Sequence, residues 1–262
     1  MNDKAVADYI AGWLNDYLSG AGAKGFVVGI SGGIDSAVTS ILAAMTGKPV
    51  LCVSLPIHQP QSHLSRAEKH MELLAGRFSN VKTISVNLTA PYESFINSFD
   101  LQEENGRLEL TNANTRARLR MTALYYYAGL ENYLVTGTGN KIEDFGVGFF
   151  TKYGDGGVDI SPIGDLTKTE VYSLGRYLGV EGSILNAPPS DGLFGDDRSD
   201  EDQIGASYPE LEWAMEQAVA GISPDTFSGR QREVYDIYIR RNRANRHKMQ
   251  PVPVALIPGN IK

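Results

Sequence analysis

Four short apolar runs, residues 27–30, 50–55, 81–86 and 133–135, are largely β-branched and lie far enough apart for one or two helices between each pair. Runs of this kind mark strands buried on both faces, and parallel strands need helical crossovers to connect them. The intervening residues supply those crossovers: 36–45 after a glycine turn, 64–78 with apolar residues at helical spacing, and 114–128. The pattern predicts an α/β fold, an open parallel sheet with helices on both faces. Residues 2–18 predict a preceding amphipathic helix whose stripe of Tyr9, Ile10, Trp13, Leu14 and Tyr17 packs on the chain's own core. After residue 135 the texture changes. Residues 137–164 are rich in glycine, threonine and charge, and residues 188–202 in proline, glycine and aspartate, so both stretches are expected as loops. Helical spacing returns over 168–178, 210–219 and 230–246 before a proline-punctuated tail, which suggests one domain over 1–262 with a C-terminal helical extension.

Composition removes several classes of function. One cysteine, Cys52, excludes an intrachain disulfide, a multi-cysteine metal site and sulfur relay through a cysteine pair. A formal net charge of -7 argues against a nucleic-acid binder that works by general phosphate attraction. The apolar runs fall far short of the roughly 20 residues of a membrane span, and the N-terminal residues are not a basic-then-apolar signal sequence. A cytoplasmic protein with no membrane or nucleic-acid partner is the expectation.

The first strand runs directly into Ser31-Gly32-Gly33-Ile34-Asp35-Ser36 and then into a helix. Backbone N–H groups at a helix start converge there and favour an anion. The glycines allow close approach to a phosphate, and Ser31 and Ser36 add hydroxyl donors. No Gly-Lys-Ser/Thr follows, so the loop is not a Walker A sequence, nor is it the Gly-x-Gly-x-x-Gly of dinucleotide folds. Asp35 stands out. A carboxylate beside bound phosphate is repelled unless a hard divalent cation bridges the two, which magnesium does; alternatively Asp35 and Ser36 only cap the helix.

The hexapeptide on a strand-to-helix turn resembles the pyrophosphate-binding loop of the N-type ATP pyrophosphatases, which split ATP between its α and β phosphates. Further along, Tyr133-Leu-Val-Thr-Gly-Thr-Gly-Asn-Lys-Ile-Glu143 leads into Gly148-Phe-Phe-Thr-Lys-Tyr-Gly-Asp-Gly-Gly-Val-Asp159. With Pro162, the helix start Leu166-Thr-Lys-Thr-Glu170, the run Asn114-Thr-Arg-Ala-Arg-Leu-Arg-Met121 and His247-Lys248, the chain resembles the ammonia-dependent NAD synthetases from Gly29 to Lys248. That resemblance implies an adenine nucleotide alpha hydrolase-like (Rossmann-like) fold. It also implies a ligase in which ATP adenylates the nicotinate carboxylate of deamido-NAD and ammonia displaces AMP to leave NAD. By resemblance Gly29, Ile30, Ser31, Gly32, Gly33, Ile34, Asp35 and Ser36 wrap the ATP phosphates. Thr138 contacts ATP, Lys168 and Ser190 meet its phosphates, and Asp35 and Glu143 hold magnesium. Asp35, Lys168 and Asp159 are the expected catalytic residues. Arg118, Lys152, Asp159, His247 and Lys248 map to positions for deamido-NAD, with Arg118 reaching into the site of the other subunit of a homodimer. The residues around 188–202 and 240–248 are then expected to close over the site.

Two features depart from the family pattern. The turn Leu55-Pro-Ile-His-Gln-Pro-Gln-Ser62 lacks the usual acidic residue, and the loop Pro189-Ser-Asp-Gly-Leu-Phe-Gly-Asp-Asp197 carries serine where threonine is common. The 262 residues are too few to hold an added glutaminase domain of usual size, so free ammonia or a separate partner is expected to supply the nitrogen. Two other functions compete: a different N-type ATP pyrophosphatase, and a noncatalytic ATP-binding module, which would need the phosphate loop but neither Glu143 nor the lysines.

Overall fold

The computed structural model describes residues 1–99, 107–189 and 199–262. Its centre is a parallel sheet of β1 (Gly25–Gly29), β2 (Val50–Ser54), β3 (Val81–Ser85) and β4 (Tyr133–Thr136), in the order β3-β2-β1-β4. The order reverses direction at β1, and at such a switch the loops leaving two neighbouring strands part to opposite faces and open a crevice at the carboxyl edge. Strand residues alternate between two cores. Phe26, Val28 and Cys52 face one, with α1 (Asp3–Ala21), α2 (Ile34–Met45), α3 (Gln61–Arg77) and α6 (Lys168–Leu178). Val27, Leu51, Val53 and Val135 face the other, beneath α5 (Leu108–Glu131). The predicted two-faced α/β sheet is therefore present. Burial pushes the Cys52 thiol up to about 12, so it stays neutral and inert.

Several expectations need correcting. The stripe on α1 divides: Ile10 and Leu14 are buried with Ala7 and Leu18, whereas Tyr9 is 74% exposed and Trp13 and Tyr17 stack on each other at the surface. Positions 9, 13 and 17 form one ridge of the helix and 7, 10, 14 and 18 the adjoining one, and only the second meets α2 and α6. A short helix, α4 (Thr89–Ile96), follows β3, a second helix in a gap where the sequence pattern predicts only the one over 114–128. Residues 137–164 are not all loop, because Lys141–Val147 forms a π-helical turn.

The remaining helices are α7 (Gly182–Leu185), α8 (Asp200–Ile204), α9 (Tyr208–Val219) and α10 (Gly229–Met249). Ile204, Leu211, Val234, Ile237 and Tyr238 of this C-terminal group enclose Ile142 and Val147 of the π-helical turn in an apolar cluster of their own. Residues 240–248, expected as a cover, are the last turns of α10, and Asn242 and Asn245 tie them to the carbonyls of Gly146 and Val147. Of the expected 188–202 loop, residues 190–198, and with them Ser190, lie outside the described residues, while Asp200 to Asp202 begin α8. No helix among the described residues is long and apolar enough to cross a membrane.

Candidate active site

The loop after β1 brings backbone amides to the sheet's carboxyl edge. Gly32 has φ +84, and a Cβ there would lie 2.5 Å from the His63 carbonyl oxygen, so only glycine lets the loop pass against α3. Gly33 caps α2 without a side-chain hydrogen bond, which leaves the first N–H groups of that helix aimed at the loop. Ser31 and Ser36 brace the turn rather than reaching outward: Ser36 Oγ donates to the Gly33 carbonyl at 3.0 Å, and the Gly33 N–H donates to Ser31 Oγ at 3.2 Å. Arg66 of α3 donates to the Gly32 carbonyl at 3.2 Å and brings a cation to the loop.

Asp35 does not cap its helix. Its Oδ1 accepts from Asn140 Nδ2 at 3.2 Å and its Oδ2 from Lys168 Nζ at 2.6 Å. The same ammonium donates to Glu143 Oε1 at 2.9 Å. Asn140 explains how two sheet ends meet: its Oδ1 accepts the N–H groups of Ile142 and Glu143 at the start of the π-helical turn, while its amide holds Asp35. Lys168 is 4% exposed, which removes the alternative of a solvated lysine at a helix start. Its position in the first turn of α6 opposes the helix dipole, and the two carboxylates offset that cost.

The charges here do not balance locally. One cleft of about 190 Å³ is lined by Ser31 to Ser36, Arg66, Thr138 and Lys168, and also by Asp35, Glu143, Asp144, Asp155 and Asp200. Burial disfavours the charged form of Glu143, but Lys168 and the Tyr208 hydroxyl outweigh it and hold Glu143 below the usual carboxylate range. Burial and repulsion from Glu143 outweigh Lys168 and raise Asp35. Burial, then Asp155, Glu143 and Asp35, push Asp144 well above its ordinary value. Such a cluster of oxygen donors attracts a hard cation. No preformed cage of three or more ligating side chains exists among the described residues. Magnesium needs none, because it commonly takes one or two carboxylates and completes its shell with phosphate oxygens and water.

A second, more apolar cleft of about 230 Å³ adjoins the first through Ser31, Thr138 and Asp155. It is lined by Gly29, Ile30, Val53, Leu55, Pro56, Leu64, Met121, Leu124 and Val158, with Gln59 and Arg120 at the 55–62 turn. Arg120 donates to the Leu55 carbonyl at 2.9 Å and to Gln59 Oε1 at 2.8 Å, which fixes that turn. A largely apolar cleft beside a glycine-rich helix start suits a nucleobase.

The residues expected to bind a second substrate gather elsewhere, around 148–153. Lys248 Nζ donates to the carbonyls of Gly148 and Phe150, Lys152 Nζ to the His247 carbonyl at 2.8 Å, and Arg118 Nε to the Lys152 carbonyl at 3.4 Å. Asp159 lines neither cleft; its Oδ2 accepts the Val135 N–H at 2.8 Å and its Oδ1 the Tyr125 hydroxyl at 2.9 Å. Asn140, Arg66, Asp144, Asp155 and Tyr208 belong to the site although sequence reasoning assigned them no role. Only Asn140 carried a signal, as a capping residue type just ahead of Glu143.

Comparison with known proteins agrees with this geometry. The family profile described as NAD synthase matches residues 6–252. An NH(3)-dependent NAD(+) synthetase of Carboxydothermus hydrogenoformans is 40% identical over 81% of this chain and 85% of that protein. One from Syntrophomonas wolfei is 38% identical over the whole of both chains. Among solved structures, an NMN synthetase from Francisella tularensis superposes with a TM-score of 0.81, at 33% identity over 99% of each chain. The profile spans nearly the whole sequence, including the phosphate loop, the π-helical turn and Lys168, and the chain belongs to the NAD synthase family.

Proposed function

We propose that this protein amidates deamido-NAD to NAD with ammonia, using ATP and releasing AMP and pyrophosphate. The observation that carries this is the Lys168 ammonium shared by Asp35 and Glu143 at the mouth of an anion-binding helix start, in a chain of this family. A carboxylate resists attack by an amine, because it is negative and its leaving group would be oxide. Adenylation solves this in two steps. A carboxylate oxygen of the nicotinate group forms a bond to the α phosphorus, and the bond to pyrophosphate breaks. Ammonia then adds to the carbonyl carbon, AMP leaves with that oxygen, and a proton is lost to solvent or to a nearby carboxylate.

The α2 N–H groups, Arg66 and Lys168 are placed to meet the pyrophosphate charge. Asp35 and Glu143 would hold magnesium, which when bound would supply positive charge to offset that of the departing pyrophosphate. Lys152, His247 and Lys248 would contact the dinucleotide along the 148–153 edge, and Asp159 would meet it nearer the end of β4. α4, the turn after it and α5 leave Phe95, Phe99, Leu110, Tyr126 and Leu130 exposed, apolar area that suits a homodimer in which Arg118 serves the partner's site. A cytoplasmic location fits a chain without a membrane-crossing helix among its described residues.

The likeness to an NMN synthetase favours a second reading, with the same chemistry on the mononucleotide acid. Pyrophosphate release with ATP and either deamido-NAD or nicotinate mononucleotide, with ammonium and then with glutamine, separates these. Release with deamido-NAD and ammonium is the expected result. Release with the mononucleotide alone selects the second reading, and release with neither acid rejects both.

A further inference from the structure

Tyr208 is 3% exposed and lines neither cleft, yet it touches the charged network at its centre. It is the first residue of α9 and packs among Ile204, Leu211 and Val234, where a phenol hydroxyl must find an acceptor or lose the solvation it had in water. That acceptor is Glu143 Oε1 at 2.5 Å. Asp200 Oδ2 lies at 3.4 Å, and a phenol has one proton, so the nearer carboxylate takes it. Lys168 Nζ bonds the same Oε1 and stands 4.9 Å from the centre of the Tyr208 ring. One side chain therefore fixes the rotation of the Glu143 carboxylate with its hydroxyl and supports the Lys168 ammonium with its face.

The backbone that carries the ring is held from three helices. The Tyr208 N–H donates to Glu201 Oε1 of α8 at 2.8 Å. Glu210 accepts the Ser207 N–H at 2.9 Å, and Arg230 of α10 grips both oxygens of Glu210 at 2.8 and 2.9 Å. This restraint sets where the hydroxyl points before any substrate arrives.

We propose that Tyr208 is a positioning residue for the adenylation step, through which the C-terminal helices set the geometry of Glu143 and Lys168. This role rests on the reaction proposed above. Tyr208→Phe keeps the ring, its packing and its contact with Lys168, and removes only the bond to Glu143. The expected result is a fall of about 10-fold or more in kcat for pyrophosphate release, the scale typical for loss of a group that orients a functional side chain. KM for ATP and for the acid substrate should stay within about two-fold, since Tyr208 touches neither. Tm should move by no more than about 4 °C, as for a change near 1 kcal/mol in a chain of this size. Tyr238→Phe, a buried tyrosine of the same cluster on α10, should leave kcat unchanged. The role is overturned if Tyr208→Phe retains wild-type kcat, if KM rises while kcat holds, or if the lost rate matches a lost folded fraction. A wild-type protein that releases no pyrophosphate with either acid would instead overturn the reaction itself.

Discussion

Two regions of this molecule hold charged side chains in different ways. Around Asp35, Glu143 and Lys168, charged groups that are at most 17% exposed bond one another, and Asn140 and Tyr208 supply neutral donors behind them. Around residues 148–153, Arg118, Lys152 and Lys248 bond to backbone carbonyls, and Arg118 and His247 are exposed. The first arrangement fixes side chains relative to each other. Low local dielectric strengthens every contact there and makes every lost partner costly. The second fixes a loop, with Lys152 and Lys248 half-buried against it and Arg118 exposed. Under the function proposed above, substrate charge would meet a preorganised network in one place and a more exposed surface in the other.

The largest effect that separates the two regions should come from Lys168→Met. It leaves two inward-facing carboxylates with no cation between them, and removal of one member of a buried ionic group typically costs about 3–5 kcal/mol. Chemical denaturation should show that loss, with activity gone. Lys152→Met should change stability by less than about 0.5 kcal/mol, as for an ordinary surface position. Equal effects from the two lysines would break the distinction.

Asp35→Asn and Glu143→Gln come next. Each keeps the shape of the site and removes one negative charge. Asp35→Asn, at a carboxylate that burial and Glu143 raise, should cost the fold less than about 1 kcal/mol, whereas Glu143→Gln, at one that Lys168 and Tyr208 hold low, should cost more than that but less than Lys168→Met. The rate of pyrophosphate release should fall about 100-fold or more. Near wild-type release at ordinary magnesium levels would remove both residues from the metal site.

The smallest expected effect lies on the exposed edge. Arg118→Ala should leave stability within about 0.5 kcal/mol and raise KM for the acid substrate more than KM for ATP. Sedimentation of the wild type should give twice the chain mass. A fully active monomer would contradict the shared site and reduce Arg118 to a surface arginine.

The sequence disclosed each region to a different degree, for physical reasons. The strands were legible because β-branched runs at parallel-sheet spacing have few other uses, and 168–178 was legible because its capping box and periodic leucines agree. The π-helical turn was not. Its buried anchors, Ile142 and Val147, are five residues apart, a spacing that matches neither the helical nor the strand period. The division of the α1 stripe was hidden because adjoining ridges of one helix carry the same apolar residue types, and only the neighbours decide which is covered. At the site, Asp35, Glu143 and Lys168 were each legible by resemblance, but their shared ammonium was not. It arises from contacts 133 and 25 residues apart in the chain. Tyr208 gave no sign at all, since a tyrosine near a helix start is as often core as function.

The central claim is that the carboxylate of the acid substrate is adenylated before nitrogen arrives. Oxygen transfer tests it most directly. Deamido-NAD carrying ¹⁸O in its nicotinate carboxylate is turned over with ATP and ammonium, and the AMP is weighed by mass spectrometry. A nicotinate–adenylate intermediate requires one ¹⁸O atom from each labelled carboxylate to appear in the phosphate of AMP. Unlabelled AMP, or label in inorganic phosphate alongside ADP, would contradict it.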